Sequence, residues 1–201
     1  MLNEILIVTI SLFTIVDPIA AVPVFISFFG GLPKGKQRKA AIEIVVAAFI
    51  ILLIFALAGL ALLTYLNISI YSFMIAGGIL LLYLSFEFLL GELPKSRSIE
   101  VEPSSAIVPL GTPLLAGPGA ITSVIYFSHV YGFFITLMGI MLVSIISIPI
   151  FLESTKIKAV LGKNGLKVVN RIMGLITAAI AISFIEKALI GYGILKAVSV
   201  I

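Results

Sequence analysis

The sequence predicts an all-α membrane protein with six transmembrane helices, arranged as two inverted three-helix repeats in which the first and fourth helices are discontinuous. Three observations predict this class. Only 11% of the 201 residues are charged and 61% are hydrophobic, whereas soluble domains carry about 25% charged residues. Apolar runs of the ~20 residues needed to cross hydrocarbon recur along the chain. Prolines and glycines interrupt two of these runs in corresponding places.

The predicted spans follow one another with short polar stretches between them. They run over about residues 5–29, 40–65, 70–90, 106–127, 133–152 and 171–194. Helices suit such segments, because in hydrocarbon each backbone group must be bonded within its own segment. We expect one transmembrane domain over 1–201, divided as follows: a first repeat over about 2–93, a central cytoplasmic loop over about 94–105, and a second repeat over about 106–198.

Lysine and arginine residues predict the orientation of the chain. The stretches after the first, third and fifth spans hold 4, 2 and 5 of the 13 basic residues. The positive-inside rule places these stretches, with basic loops predicted over 34–39 and 153–170, in the cytoplasm. The chain then crosses the lipid bilayer of the cytoplasmic membrane several times, with both termini outside. Topology accounts for the net charge of +4, so we expect no nucleic-acid partner.

Weak internal similarity supports a duplication. Residues 17–20 (Asp-Pro-Ile-Ala) match residues 117–120 (Gly-Pro-Gly-Ala), and residues 74–77 match residues 171–174 at a similar spacing. Each half has three spans, an odd number, so the second half enters the membrane from the opposite side. Inverted repeats with interrupted helices in matching positions are typical of transporters with a site at the midplane. Chance similarity between apolar helices is the alternative.

An aspartate and two prolines interrupt the first span. Pro18 and Pro23 remove backbone donors and disfavour a continuous helix. Asp17, directly before Pro18, can cap a new helix start, and a carboxylate inside a membrane is a functional candidate. We therefore predict that Asp17, Pro18, Ala20 and Ala21 contact a substrate. A structural cap on a kinked helix is the alternative.

The fourth span carries the counterpart of this break. Two prolines and two glycines over 113–119 do not make an ordinary helix interior. A helix starting near Pro118 would aim free amides and its positive dipole end into the break, which suits a carboxylate. The residues predicted to bind substrate here are Gly117, Pro118, Gly119, Ala120, Thr122 and Ser123. Together the breaks would form a small polar site suited to a zwitterion; a paired kink that only shapes packing is the alternative.

Other polar residues give weaker signals. Glu87, late in the third span, is a second candidate for ion coupling, or else an interfacial residue that reaches toward water. Gly77, Gly78 and Gly174 favour close helix packing. The chain has no cysteine and one histidine, His129, in a predicted outer turn. We therefore expect no metal, no cofactor and no enzymatic activity.

At these residues the chain resembles the MarC family of membrane proteins, also called neutral amino acid transporters. The motifs are Asp-Pro with Pro-Val-Phe over 17–25, Pro-Leu-Gly-Thr-Pro-Leu-Leu-Ala-Gly-Pro-Gly-Ala-Ile-Thr over 109–122, and Arg-Ile-Met-Gly over 171–174. The resemblance covers essentially the whole chain. It implies a six-span inner-membrane protein that moves glycine, alanine and similar amino acids with an ion gradient. Many members have glycine where this chain has Ala20 or Ala21, so the methyl group is expected to narrow the pocket or shift its preference.

These observations together predict a secondary transporter of small neutral amino acids, driven by protons or sodium ions. The 117–122 backbone would bind the substrate carboxylate, and Asp17 would bind the ammonium group or a coupling proton. A homo-oligomer is compatible with the sequence. The main alternative is a passive channel or an exporter of another small solute. A structural or signalling protein would not explain two matching breaks, and an intramembrane enzyme would need a nucleophile and base that the chain does not offer.

Overall fold

Seven helices make up the part of the chain that the structure describes. This computed structural model describes residues 1–90 and 115–195, which contain no strand. The helices are α1 Leu2–Val16, α2 Val22–Phe29, α3 Lys34–Tyr65, α4 Ile70–Leu90, α5 Pro118–Tyr131, α6 Phe133–Leu152 and α7 Ser154–Gly191. The predicted central loop over 94–105 and the start of the fourth span, with Pro109 and Pro113, lie outside the described residues.

Four of the helices are long and apolar enough to cross a membrane. They are α3, α4, α6 and the Asn164–Gly191 part of α7. Large apolar side chains on them point outward, for example Leu57 at 61% exposure and Leu175 at 63%. Helices that are apolar on their outer as well as their inner faces suit a lipid environment. The chain is therefore an integral membrane protein, and its described residues form helices joined by short turns. The apolar helix α1, with 15 residues, is shorter than a full span and is followed by α2.

The two basic stretches predicted as loops are helical, so those loop predictions are wrong. α3 begins six residues before the predicted start of its span. The side-chain amide of Gln37 in its first turns donates to the carbonyls of Gly30 at 3.2 Å and Leu32 at 2.8 Å. The stretch over 153–170 is the first part of α7, which changes direction at Gly162, where φ is 61°. Hydropathy marks where the hydrocarbon ends, whereas lysine and glutamate continue a helix readily beyond it.

The most extensive helix contact joins α4 and α7, which run antiparallel. A Cβ atom built on Gly78 of α4 would lie 2.9 Å from the carbonyl oxygen of Ala181. A Cβ atom built on Gly174 of α7 would lie 3.1 Å from the carbonyl oxygen of Ser85. Each helix thus offers a glycine where the other's backbone approaches, as close packing in membranes requires. The same shift of 96 residues along the chain relates Gly78 to Gly174 and Ser85 to Ala181.

The other helices pack around this pair. α6 contacts α1 and α3, α5 contacts α3 and α4, and α2 contacts α7. The buried side chains come from all of them; the largest include Leu12, Phe25, Ile44, Met74, Leu81, Ile125 and Ile140. Phe25 of α2 stacks against Phe151 of α6 with ring centroids 5.1 Å apart. This packing holds the short helices α1, α2 and α5 against the longer ones and brings their ends into the interior.

The glycine at position 78 predicts a stability difference. Gly78→Ala should lower the free energy of unfolding by about 1–3 kcal/mol, because the new methyl group would press on the Ala181 carbonyl and on Ile185 Cγ1, 2.7 Å away. Gly35→Ala is the matched control, since a Cβ atom there meets nothing within 4 Å. Thermal unfolding of both variants in detergent measures the difference. Equal unfolding temperatures would contradict the close contact between α4 and α7.

Candidate functional site

Asp17 ends α1 and organises the first break. Its backbone has φ 41°, in the left-handed region, which aspartate tolerates better than most side chains. Its amide donates to the carbonyl of Phe13 at 2.9 Å. Its Oδ1 atom accepts from the amide of Ala20 at 3.1 Å. The carboxylate therefore closes the turn that leads from α1 into α2.

The end of α1 presents acceptors without donors. Asp17 is 3% exposed, and its second oxygen, Oδ2, has no hydrogen-bond partner. Pro18 offers no amide to the Thr14 carbonyl, and the chain leaves the helix after Val16. No described backbone amide therefore bonds to the carbonyls of Thr14, Ile15 and Val16. A helix C-terminus carries partial negative charge. Carboxylate, carbonyls and dipole together favour a cation at this place.

The start of α5 presents the opposite chemistry. Gly117 precedes the helix without a side-chain cap, and Pro118 occupies its first position. The amide of Ile121 donates to the carbonyl of Gly117 at 3.0 Å, while the amides of Gly119 and Ala120 bond to no described backbone acceptor. The amides of a first helical turn and its positive dipole end favour an anion here.

The two breaks lie next to each other, with Gly119 buried but Pro118, the first residue of α5, exposed. A Cβ atom on Gly119 would lie 3.6 Å from Cγ2 of Ile15 in the last turn of α1, and it would also contact Leu81 of α4. Leu115, just before α5, lines one cavity together with Val16 of α1. The cation-favouring end of α1 and the anion-favouring start of α5 therefore meet; that a substrate is held there stays a prediction.

The cavity beside the breaks is small and mainly apolar. Its volume is about 10 Å³, and it lies among α1, α3, α6 and the residues before α5. Among the described residues that line it, Ser144 and Ser147 carry hydroxyl groups. Both hydroxyls donate to carbonyls of their own helix, at 2.8 and 2.7 Å. The space accommodates no more than about one water molecule.

Three predicted residues lie away from the point where the breaks meet. The Thr122 hydroxyl donates to the Pro118 carbonyl at 2.9 Å, and Thr122 packs against Gly77 of α4. The Ser123 hydroxyl donates to the Gly119 carbonyl at 2.7 Å. Glu87 is half-buried, and it lies six residues beyond Leu81, or about 9 Å of helix rise. Their functional roles stay predictions.

The structure adds two residues that the sequence analysis did not single out. Asn170 and Thr177 of α7 are 7% and 2% exposed. Asn170 Oδ1, Thr177 Oγ1 and Asp17 Oδ2 are the side-chain oxygen atoms that are buried without a partner in the described part of the chain. The available signal was their spacing, because polar residues seven apart share one face of a helix.

Comparison with known proteins covers nearly the whole chain. The sequence model described as "MarC family integral membrane protein" matches residues 2–192. A UPF0056 membrane protein of Pyrococcus horikoshii is 36% identical, over 90% of this chain and 91% of its own length. Counterparts in Methanocaldococcus jannaschii and Escherichia coli K12 are 37% and 34% identical, over 90% of this chain and 93% and 90% of their own lengths. No solved structure matches the chain.

The conformation of Asp17 predicts how two substitutions differ. Asp17→Ala and Asp17→Asn both remove the charge, but asparagine tolerates the left-handed backbone and keeps an acceptor for the Ala20 amide. The alanine variant should therefore be less stable than the asparagine variant by about 1–3 kcal/mol. Unfolding in detergent, followed by circular dichroism, measures the difference. If the two variants unfold alike, the side chain does not close this turn.

Proposed function

We propose, because this chain belongs to the MarC family of integral membrane proteins, that it is a secondary transporter of small neutral amino acids such as glycine and alanine. In this proposal it works in the cytoplasmic membrane and uses a proton or sodium gradient. The observation that carries the proposal is the meeting of two helix ends of opposite polarity inside an apolar protein.

The helix contacts support two inverted repeats. We take α1 with α2, α3 and α4 as the first three spans, and the span that ends in α5, with α6 and α7, as the last three. Exchanging the halves turns the contact of the first span with α6, made by α1 and α2, into the contact of the fourth span with α3, made by α5, and both are present. It turns the contact of α4 with α5 into that of α7 with α1 and α2, again both present. The constant shift of 96 residues between the glycine contacts of α4 and α7 agrees with this exchange.

The paired helix ends fit a zwitterion. The free amides of Gly119 and Ala120 would bind its carboxylate, and Asp17 with the carbonyls ending α1 would bind its ammonium group. These interactions satisfy polar groups that are otherwise costly to leave unbonded in a membrane interior. A substrate without both charges would leave one of the helix ends unpaired.

The walls of the site favour a small ligand. Ala20 and Ala21 are 5% and 2% exposed, and Ala120 is 2% exposed. Gly119 has no room for a Cβ atom beside Leu81. The neighbouring cavity of about 10 Å³ is far below the ~300 Å³ of ordinary ligand pockets. Substrate entry then requires the helices to separate, as alternating access does.

A passive channel or an exporter for another small solute is the competing function. A channel would use the same breaks to line a pore, but it could not concentrate its solute. Accumulation against a gradient therefore separates the two.

The distribution of basic residues, 11 of 13 on one predicted side, supports an orientation with both termini outside.

Uptake of labelled glycine and alanine into proteoliposomes tests the proposal. With an imposed proton or sodium gradient, we expect accumulation above the external concentration, and dissipating the gradient should abolish it. Equilibration without accumulation would favour the channel. No uptake of either amino acid by folded protein would remove the substrate assignment.

A substitution at Gly119 tests the site itself. Gly119→Ala should reduce uptake at least tenfold, because the methyl group would press on Leu81 and shift the start of α5 away from Ile15. Gly31→Ala is the control, since a Cβ atom there has no neighbour within 4 Å and uptake should be unchanged. Initial rates at matched protein amounts give the comparison. Normal uptake by the Gly119 variant would show that substrate is bound elsewhere.

A further inference from the structure

α7 carries a buried polar residue at the depth of the two breaks. Thr177 is 2% exposed, and its Oγ1 atom has no hydrogen-bond partner. Leaving a buried hydroxyl without a hydrogen bond is energetically costly. Other buried threonines of the described chain bond to their own helix; Thr136 donates to the Gly132 carbonyl at 3.1 Å. The unpaired state of Thr177 therefore calls for an explanation.

The antiparallel pairing of α4 and α7 fixes the depth of Thr177. Gly78 opposes Ala181, and Ser85 opposes Gly174, so Leu81 of α4 lies opposite the residue after Thr177. Leu81 is also the side chain that covers Gly119 at the start of α5. Thr177 thus lies level with Gly119, to within about one residue of helix rise.

The aromatic contact between α5 and α7 places Thr177 at the same depth. Phe184 of α7 packs against Tyr126 and Phe127 of α5, with ring centroids 4.9 and 6.2 Å away. α5 and α7 run parallel, because both run antiparallel to α4. Seven residues before Phe184 lies Thr177, on the same helix face. Seven residues before the two aromatic residues lie Gly119 and Ala120.

Asp17 belongs to the same layer. Ile15, two residues before it, approaches Gly119, and both α1 and α2 contact α7. Asp17 connects α1 to α2, so it lies between two helices that touch α7, at the level of Thr177. Its unpaired Oδ2 atom and the unpaired Oγ1 atom of Thr177 therefore share one buried layer with the free carbonyls of α1.

We propose that Thr177 and Asp17 together bind one small monovalent cation. Its ligands would be the Thr177 hydroxyl, Asp17 Oδ2 and carbonyl oxygens at the end of α1. This set holds oxygen atoms only, which suits a sodium ion or the ammonium group of a bound amino acid. The inference deepens the proposed function and rests on it only for the second of these cation sources. Asn170, seven residues before Thr177, lies on the same face of α7, and its Oδ1 atom also has no partner.

Ligand binding to the purified full-length protein tests the cation site in two separate arms. One arm titrates sodium chloride without amino acid against a choline background. The other titrates glycine without sodium. If sodium is the bound cation, Thr177→Val should weaken sodium binding about tenfold or more; if the ammonium group is the cation, the same loss should appear in glycine binding. Thr177→Ser should bind like the parent protein, and Thr136→Val, which alters a threonine already bonded to its own helix, should have no effect.

The stability of the ligand-free variant separates binding from a structural role. Thr177→Val removes a buried hydroxyl that has no partner, so its unfolding temperature should equal or exceed that of the parent. A marked decrease would assign the hydroxyl to the fold and overturn the proposal. Thr177→Ala gives the same binding readout if the valine variant cannot be purified.

The outcomes also separate this inference from the proposed function. Sodium binding that depends on Thr177, without any glycine or alanine uptake, would uphold the cation site and reject the amino acid substrate. Uptake that is unchanged in Thr177→Val, with unchanged binding in both arms, would uphold transport and overturn the role of Thr177. A parent protein that binds neither sodium nor glycine would overturn the cation site.

Discussion

The rest of this structure depends on how a membrane protein can interrupt a helix in its interior. An interrupted backbone leaves amides and carbonyls without partners, and hydrocarbon supplies none. Here the interruption after Val16 is closed by Asp17, whose backbone adopts a left-handed conformation and whose Oδ1 atom bonds to the Ala20 amide. The unpaired groups on both sides are then kept inside the helix bundle, away from lipid. The break therefore combines local order around Asp17 with acceptors that no described donor satisfies.

Close helix packing is the other condition for keeping the interrupted backbone inside the protein. α4 and α7 approach each other through glycines at equivalent positions, and the short helices fill the space beside them. Gly119 likewise allows close packing at the break, since Leu81 covers this glycine and Ile15 approaches it. Small residues therefore serve two purposes in this protein. They allow helices to contact one another, and Gly119 lets the start of α5 approach the last turn of α1.

The sequence predicted the class of protein and the position of the first break, because composition and proline placement report directly on lipid contact and backbone bonding. It failed at the basic stretches, where α3 and α7 continue past the apolar segments. Hydropathy contains no information on helix continuity. The sequence also offered no reason to choose Thr177 over other polar residues in helices. That choice required knowing that Thr136 and Thr122 have partners while Thr177 does not, which is a property of packing.

The proposed ligand would connect the two halves of the chain. Asp17 and the end of α1 come from the first half, whereas the start of α5 and Thr177 come from the second. A substrate that bonds to both sides stabilises one relative position of the halves over others, and only such a difference in affinity lets a ligand shift a conformational equilibrium. In this proposal, binding at this point is coupled to motion between the two halves of the chain, while a ligand held by one half alone could not drive it. The location of the breaks, at the junction of the halves, suits a carrier better than a fixed pore.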